Sequence, residues 1–294
     1  MTRSPEHWGV ELVVDGHDEV GEGPLWHQGR VIWVDIAKGV VYLLDPESTE
    51  REVVEVGQPV GAVAPRAAGG LVAAVQDGFA VVDLESGRSQ MLIEVEADRP
   101  GNRMNDGKCD PQGRFWAGTM AFDQSPGAAA LYRLDADHHV EKVLDSVGLS
   151  NGLEWSLEGD KMYYIDSLTY GVDVFDFEPA TGGVANRRRL IDVSQDIGMP
   201  DGMTIDAEGY LWVALWEGSA VRRYAPDGTL VGIVELPASQ VTSCTFGGVE
   251  LTDLYITSAA ADLTAADLAK QPHAGGLFRC RPGVRGVPGN EFGG

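Results

Sequence analysis

The sequence predicts an all-β, six-bladed β-propeller, on three observations. One strand-and-glycine unit recurs six times, Gly, Asp and Pro turns punctuate it, and helical periodicity is almost absent. The copies read WHQGRVIWVDI (26 to 36), AAGGLVAAVQDG (67 to 78), DPQGRFWAGTM (110 to 120), SLEGDKMYYIDS (156 to 167), DAEGYLWVALW (206 to 216) and FGGVELTDLYITS (246 to 258). Their reference glycines, Gly29, Gly70, Gly113, Gly159, Gly209 and Gly248, are spaced 41, 43, 46, 50 and 39 residues apart. Each copy is followed by a second short strand: VVYLLDPES, FAVVDLESG, ALYRLDADH, VDVFDFEPATG, VRRYAPDG and GGLFRCRPG. Units of this length holding several period-two strands are the pattern of propeller blades. Because each blade buries its faces only against its neighbours, residues 1–294 form one domain.

The strand VELVVD near the amino terminus has no place in the six units and is expected to pair with the last blade, closing the ring without a raw edge. The one helical signal is DLTAADLAKQP (262 to 272), where Thr264 and Asp267 form a capping pair and Pro272 a stop.

Composition excludes several classes. The 294 residues are 44% hydrophobic and 23% charged, so the chain can bury a large core and is neither disordered nor fibrous. A formal charge of −23, from 45 acidic against 22 basic residues, opposes both nucleic acid and an anionic membrane as partners. No segment reaches the roughly 20 apolar residues of a membrane span, and the amino terminus lacks a signal-peptide core, which leads to the expectation of a cytoplasmic protein. Cys109, Cys244 and Cys280 show no CxxC spacing and read as small buried hydrophobes. No heptad or long amphipathic helix speaks to the oligomeric state.

Residues at one phase of a radial repeat converge on the axis. Eight positions before the reference glycine stand Asn105, Asn151 and Asp201, and seven before Gly29 stands Glu22, each next to glycine or Asp-Gly. The other two copies carry Ala62 and Gln240. An isolated Asn-Gly or Asp-Gly is usually a tight turn. Four in register, one of them Glu, instead suggest hard oxygen donors around a divalent cation whose charge two carboxylates balance.

At these residues the chain resembles the regucalcin, or senescence marker protein and gluconolactonase, family of six-bladed propellers. The resemblance runs through GEGPLWH, RMNDGKCDPQGRFWAGTM, SNGLEWSLEGDKMYYIDSLTYGVDVFDFEPATG, PDGMTIDAEGYLWVALWEG, TSCTFGG and QPHAGGLF. It implies a lactonase that opens a small-molecule sugar lactone to the aldonic acid at one divalent metal in the channel. It further implies Glu22, Asn151 and Asp201 as metal ligands, Asp201 also as the general base, and Arg103 and Asn105 as contacts to substrate and metal-bound water. Where animal relatives carry Glu after GTMAE, this chain has Phe122 and Asp123, so Asp123 is the acid expected at the substrate pocket and the preferred lactone is expected to differ. Ligand hardness favours calcium, while zinc, manganese, magnesium and iron remain compatible.

Two rival functions follow from the same features: a phosphotriester hydrolase with similar metal and carboxylate chemistry, and a non-enzymatic calcium-binding or interaction propeller. GLSNG (148 to 152) fits the serine-hydrolase elbow in letters only, since a strand rather than a helix is expected after it, and Ser150 reads as a turn residue. The six histidines have no metal spacing. Trp33, Trp116 and Trp212 fit blade packing, and core packing is also the preferred reading of Trp26 and Trp216 over a place in the pocket wall.

Overall fold

The computed structural model describes residues 4–48 and 50–294. Six sheets form a ring, one for each repeat. Their first strands are Gly21–His27, Val60–Pro65, Asn102–Cys109, Ser150–Trp155, Met199–Ile205 and Val241–Gly247. Each of these packs against the first strand of the next blade, and the last packs against the first, so the six line a closed axis. The second strands of blades one to six are Arg30–Asp35, Leu71–Val75, Phe115–Ala121, Lys161–Asp166, Leu211–Trp216 and Asp253–Ser258. These carry the apolar residues of the repeat and are buried almost throughout.

The core is divided into six clusters, each lying between two neighbouring blades. Val34, Val60 and Leu71 join blades one and two; Trp116, Trp155 and Phe177 join three and four; Trp33, Tyr255 and Leu277 join six and one. This is the burial expected of a repeat that cannot cover its own faces. The three repeated tryptophans are fully buried, and each donates its indole N–H to a buried aspartate: Trp33 to Asp18 at 2.8 Å, Trp116 to Asp110 at 2.9 Å and Trp212 to Asp206 at 3.0 Å.

Closure occurs as expected. Glu11–Val14 pairs antiparallel with Leu277–Cys280 and completes the sixth blade. A second device is not legible in the sequence: Glu6–Trp8 adds in parallel to Leu230–Glu235 as a fifth strand of blade five, and Trp8 packs on Trp212 with ring centres 5.5 Å apart. The capping box of Thr264 and Asp267 opens a short helix, Ala265–Leu268.

The carboxyl-terminal residues cross the face of the ring where the first strands end. Ala207 N–H donates to the Arg285 carbonyl and Gly286 N–H to that of Leu251. Further along, Phe292 N–H donates to the Pro65 carbonyl and Gly293 N–H to that of Gly113. Fully buried Phe292 anchors the strap between blades two and three.

Candidate metal centre in the channel

The Asn-Gly and Asp-Gly dipeptides lie inside strands, not in turns. In each first strand the register against the second slips beside the oxygen-bearing position: between Glu22 and Leu25, Met104 and Gly107, Ser150 and Leu153, and Pro200 and Met203. A bulge re-aims side chains out of the pleat, which turns Glu22, Asn105, Asn151 and Asp201 toward the axis. The glycines serve close approach: a Cβ at Gly152 would stand 2.7 Å from the Asp201 carbonyl oxygen, so only glycine lets blades four and five draw together here. Ser150 likewise opens a strand rather than sitting in a turn; it is fully buried, and its Oγ accepts from the Tyr164 hydroxyl at 2.9 Å.

Glu22, Asn151 and Asp201 are all buried near the upper ends of their strands. Asp201 lies within hydrogen-bonding reach of both Glu22 and Asn151. Burial first, then the charges of Asp201 and Asp106, raise the Glu22 carboxyl well above the ordinary carboxylate range. Burial and the Asp106 charge do the same to Asp201, with Asn151 and Arg103 opposing. Two carboxyls forced together in a dry site hold a proton unless a cation takes its place.

The two asparagines differ. Asn105 Nδ2 donates to the Ser150 carbonyl at 2.8 Å, and its Oδ1 accepts from Arg103 Nη1 at 2.8 Å. Asn151 Nδ2 donates to Ser167 Oγ at 3.1 Å, while its Oδ1 is buried with no partner. Ser167 donates its own proton to the Pro200 carbonyl at 2.7 Å, so it can only accept from Asn151, and this fixes the amide with its nitrogen on Ser167 and its oxygen turned away from it. An orphaned oxygen is costly in a protein interior and is what a metal ligand looks like without its ion.

Reasoning from sequence missed three charged residues further down the channel. Asp106, Lys108 and Glu154 are on the same strands, and Lys108 Nζ donates to Glu154 Oε2 at 2.9 Å and to the Met203 carbonyl at 2.7 Å. Burial works against the Lys108 ammonium, but Glu154 and Asp106 outweigh it and hold its pKa above the usual lysine value. Their signal is a shared phase: Lys108 and Glu154 each stand five positions before the reference glycine of their blade, Gly113 and Gly159. Burial lowers the Arg103 guanidinium to about 10, still a cation at neutral pH, with Glu22 and Asp201 pulling it back up. Counting all six, Glu22, Asp106, Glu154 and Asp201 face Arg103 and Lys108, which leaves two negative charges uncompensated.

Among the described residues no three His, Cys, Asp or Glu side chains group to hold a metal. The set that converges is two carboxylates and an amide oxygen, with a net charge that one divalent cation cancels; hard oxygen donors of this kind fit such an ion. Asp123 stands apart from it. That residue is exposed on the turn after Phe115–Ala121, and its carboxylate accepts from the Ser125 N–H at 3.0 Å. Phe122, 55% exposed, donates its N–H to the Gly101 carbonyl, which places the turn beside the start of the strand that carries Arg103. Trp26 lines a different space, a cavity of about 510 Å³ at the lower ends of the first strands, bounded also by His27, Lys108, Glu154, Phe246 and Pro288.

The fold and this site define a class: a six-bladed propeller with an oxygen-donor centre in its channel. The family described as the SMP-30/Gluconolactonase/LRE-like region matches residues 20–260. The chain belongs to that family. It is similar to regucalcin of Danio rerio, 45% identical over 285 residues that cover 95% of this chain and 96% of the relative. Among solved structures, a luciferin-regenerating enzyme superposes with a TM-score of 0.91 at 33% identity, covering 97% of this chain and 99% of the other. A calcium-binding protein, regucalcin from Agrobacterium tumefaciens, superposes with a TM-score of 0.94 at 27% identity, covering 99% of both chains. No helix among the described residues is long and apolar enough to cross a membrane.

Proposed function

We propose that the protein is a metal-dependent lactonase that hydrolyses a sugar lactone to the aldonic acid, with Glu22, Asn151 and Asp201 as the protein ligands of one divalent ion, calcium favoured. The observation that carries the reading is the orphaned Asn151 oxygen, held by Ser167 beside the paired Glu22 and Asp201. Membership of a family named for gluconolactonase supports the substrate class. When bound, the ion would supply Lewis acidity to the lactone carbonyl and to the oxyanion that develops there.

The chain's own residues divide the remaining work. Asp201 accepts a proton from the attacking water through a carboxylate oxygen as the water oxygen bonds to the carbonyl carbon. The bond from that carbon to the ring oxygen then breaks, and the ring oxygen takes the proton back from Asp201 as it becomes the hydroxyl of the product. Arg103 lies half-buried across the mouth of the cluster, with Nη1 fixed by Asn105 and the Met104 carbonyl, so its remaining donors are free for sugar hydroxyls. Asp123 we assign to the outer rim, as a contact to a distal hydroxyl rather than to the reacting centre. Three buried thiols with no disulfide support a cytoplasmic setting.

A pH-indicator assay over glucono-, xylono- and arabinolactone and a phosphotriester, with calcium, magnesium, manganese, zinc or ferrous iron, tests the reading. Metal-dependent turnover of at least one sugar lactone is expected. A far faster phosphotriester reaction would replace the substrate class, and no turnover with any ion would favour a non-enzymatic propeller.

A further inference from the structure

Phe122 is the one aromatic among the large apolar side chains that the described residues leave exposed to solvent. A single exposed apolar side chain is ordinary. This one is held in place at the upper rim. Its N–H donates to the Gly101 carbonyl at 2.9 Å, and the turn it opens is tied back at Ala128, whose carbonyl accepts from Asn102 Nδ2 at 2.9 Å and Arg99 Nη1 at 3.0 Å. The register fixes the side from which it projects. Arg103 stands opposite Met120, and Phe122 continues that ladder two residues beyond Met120, so the three share one face of blade three and Arg103 and Phe122 are diagonal neighbours. Diagonal positions lie about 7 to 8 Å apart, within reach of long and aromatic side chains. That face looks toward blade four, because Met120 bridges Leu149 and Asn105 reaches the Ser150 carbonyl. Blade four meets it with apolar groups. Leu149 is buried, and half-buried Leu168 packs on Gly148, where a Cβ would stand 2.9 Å from Leu168 Cδ1. Leu168 directly follows Ser167, the group that orients Asn151, so the cleft between blades three and four opens beside the metal centre.

We propose that Phe122, facing Leu168 across this cleft, is a specificity-determining contact that selects a deoxy-sugar lactone, one carrying a methyl group where a fully hydroxylated sugar carries a hydroxymethyl. The inference rests on the lactonase reading above and deepens it by naming the substrate class. Arg103 offers donors to the ring hydroxyls, whereas Phe122, Met120, Leu149 and Leu168 offer none and accept none. A hydroxyl placed among them gives up its water without a partner. A methyl group there gains by leaving water. Phe122 touches the substrate away from the carbonyl, so its contribution belongs to binding and not to the chemical step.

The test compares lactones that differ only in that group: L-rhamnonolactone against L-mannonolactone, and D-fuconolactone against D-galactonolactone, with gluconolactone as reference. Steady-state kinetics are measured on the metal-loaded wild type, Phe122→Ala, Phe122→Trp and Phe122→Glu, with folding checked by circular dichroism and the metal centre by calcium titration. Wild type is expected to favour the deoxy lactone of at least one pair about tenfold in kcat/KM, the difference lying in KM. Phe122→Ala is expected to bring that ratio below about threefold, and Phe122→Trp, which keeps an aromatic face, to preserve it. Phe122→Glu is expected to reverse it, and serves in place of the alanine variant should that one not fold. A wild type without preference for the deoxy lactone in either pair overturns the inference, as does a folded Phe122→Ala that keeps the wild-type ratio. Turnover of gluconolactone alone likewise overturns it while leaving the lactonase reading standing, and a wild type that opens none of the five lactones overturns both.

Discussion

Arg103 and Asn105 are locked to each other, the guanidinium donating to the amide oxygen at 2.8 Å, and this separates two asparagines that occupy the same phase of the repeat. Phase alone treats Asn105 and Asn151 as equivalent metal ligands. The hydrogen bonds distinguish them, because Asn105 has both ends of its amide engaged and Asn151 has its oxygen free. The oxygen of Asn151 is therefore available to an ion, while that of Asn105 is already engaged.

Ser167→Ala removes the group that orients the Asn151 amide. Metal affinity is expected to fall about 10- to 100-fold, the usual effect of losing a ligand's orienting partner. Asn105→Ala is expected to leave ion affinity within about threefold and to raise KM instead, since it frees Arg103. Calorimetric titration and steady-state kinetics on the two variants measure both.

Stability should depend on pH and metal together. Glu22 and Asp201 titrate above the ordinary carboxylate range in the folded, metal-free protein, so the native state binds more protons than the unfolded chain. Their contribution to stability is then lost as pH rises from the ordinary carboxylate range through their raised values. A divalent ion removes the penalty and competes with those protons. The increase in Tm on adding calcium should therefore be larger at pH 8 than at pH 5, as thermal denaturation with chelator and with calcium would show.

Asp18 supplies a second, metal-independent pH effect at the seam of the ring. Burial raises its carboxyl to about 6 against the opposing hydrogen bond from Trp33, with Asp35 adding to the rise. Ionising it in the folded state costs about 3 kcal/mol relative to the unfolded chain, a loss of stability that develops between about pH 4 and pH 6. Asp18→Asn should abolish that step, so the difference in stability between variant and wild type should grow over this interval in denaturant titrations.

Much of the architecture was legible because each blade repeats the same apolar phase and the same glycine. Closure by VELVVD could be read from the one strand left over, and the Thr264 and Asp267 cap from its spacing. The parallel addition of Glu6–Trp8 could not, since three residues carry no period and their place depends on Trp8 finding Trp212. Glu22, Asn151 and Asp201 were visible as oxygen donors in register. Asp106 and Lys108 stand in the same MNDGK segment as Asn105 but were not singled out, because a charge buried across a channel is set by partners on other blades, here Glu154 and Met203, that sequence proximity does not reveal.

The carboxyl-terminal strap should carry much of the stability at the lower face. Phe292 is fully buried between blades two and three. Phe292→Ala is expected to cost about 3 to 5 kcal/mol in urea denaturation, as for other large-to-alanine changes in a packed core. A loss below about 1 kcal/mol would show that the strap lies on the ring without supporting it.

The most direct measurement is anomalous diffraction from crystals soaked in manganese, for wild type and Asn151→Ala. A single peak bounded by Glu22, Asn151 and Asp201 in the wild type, weakened or lost in the variant, is the predicted result. Wild-type crystals with no peak among those three side chains, or an equal peak in both proteins, would contradict the account.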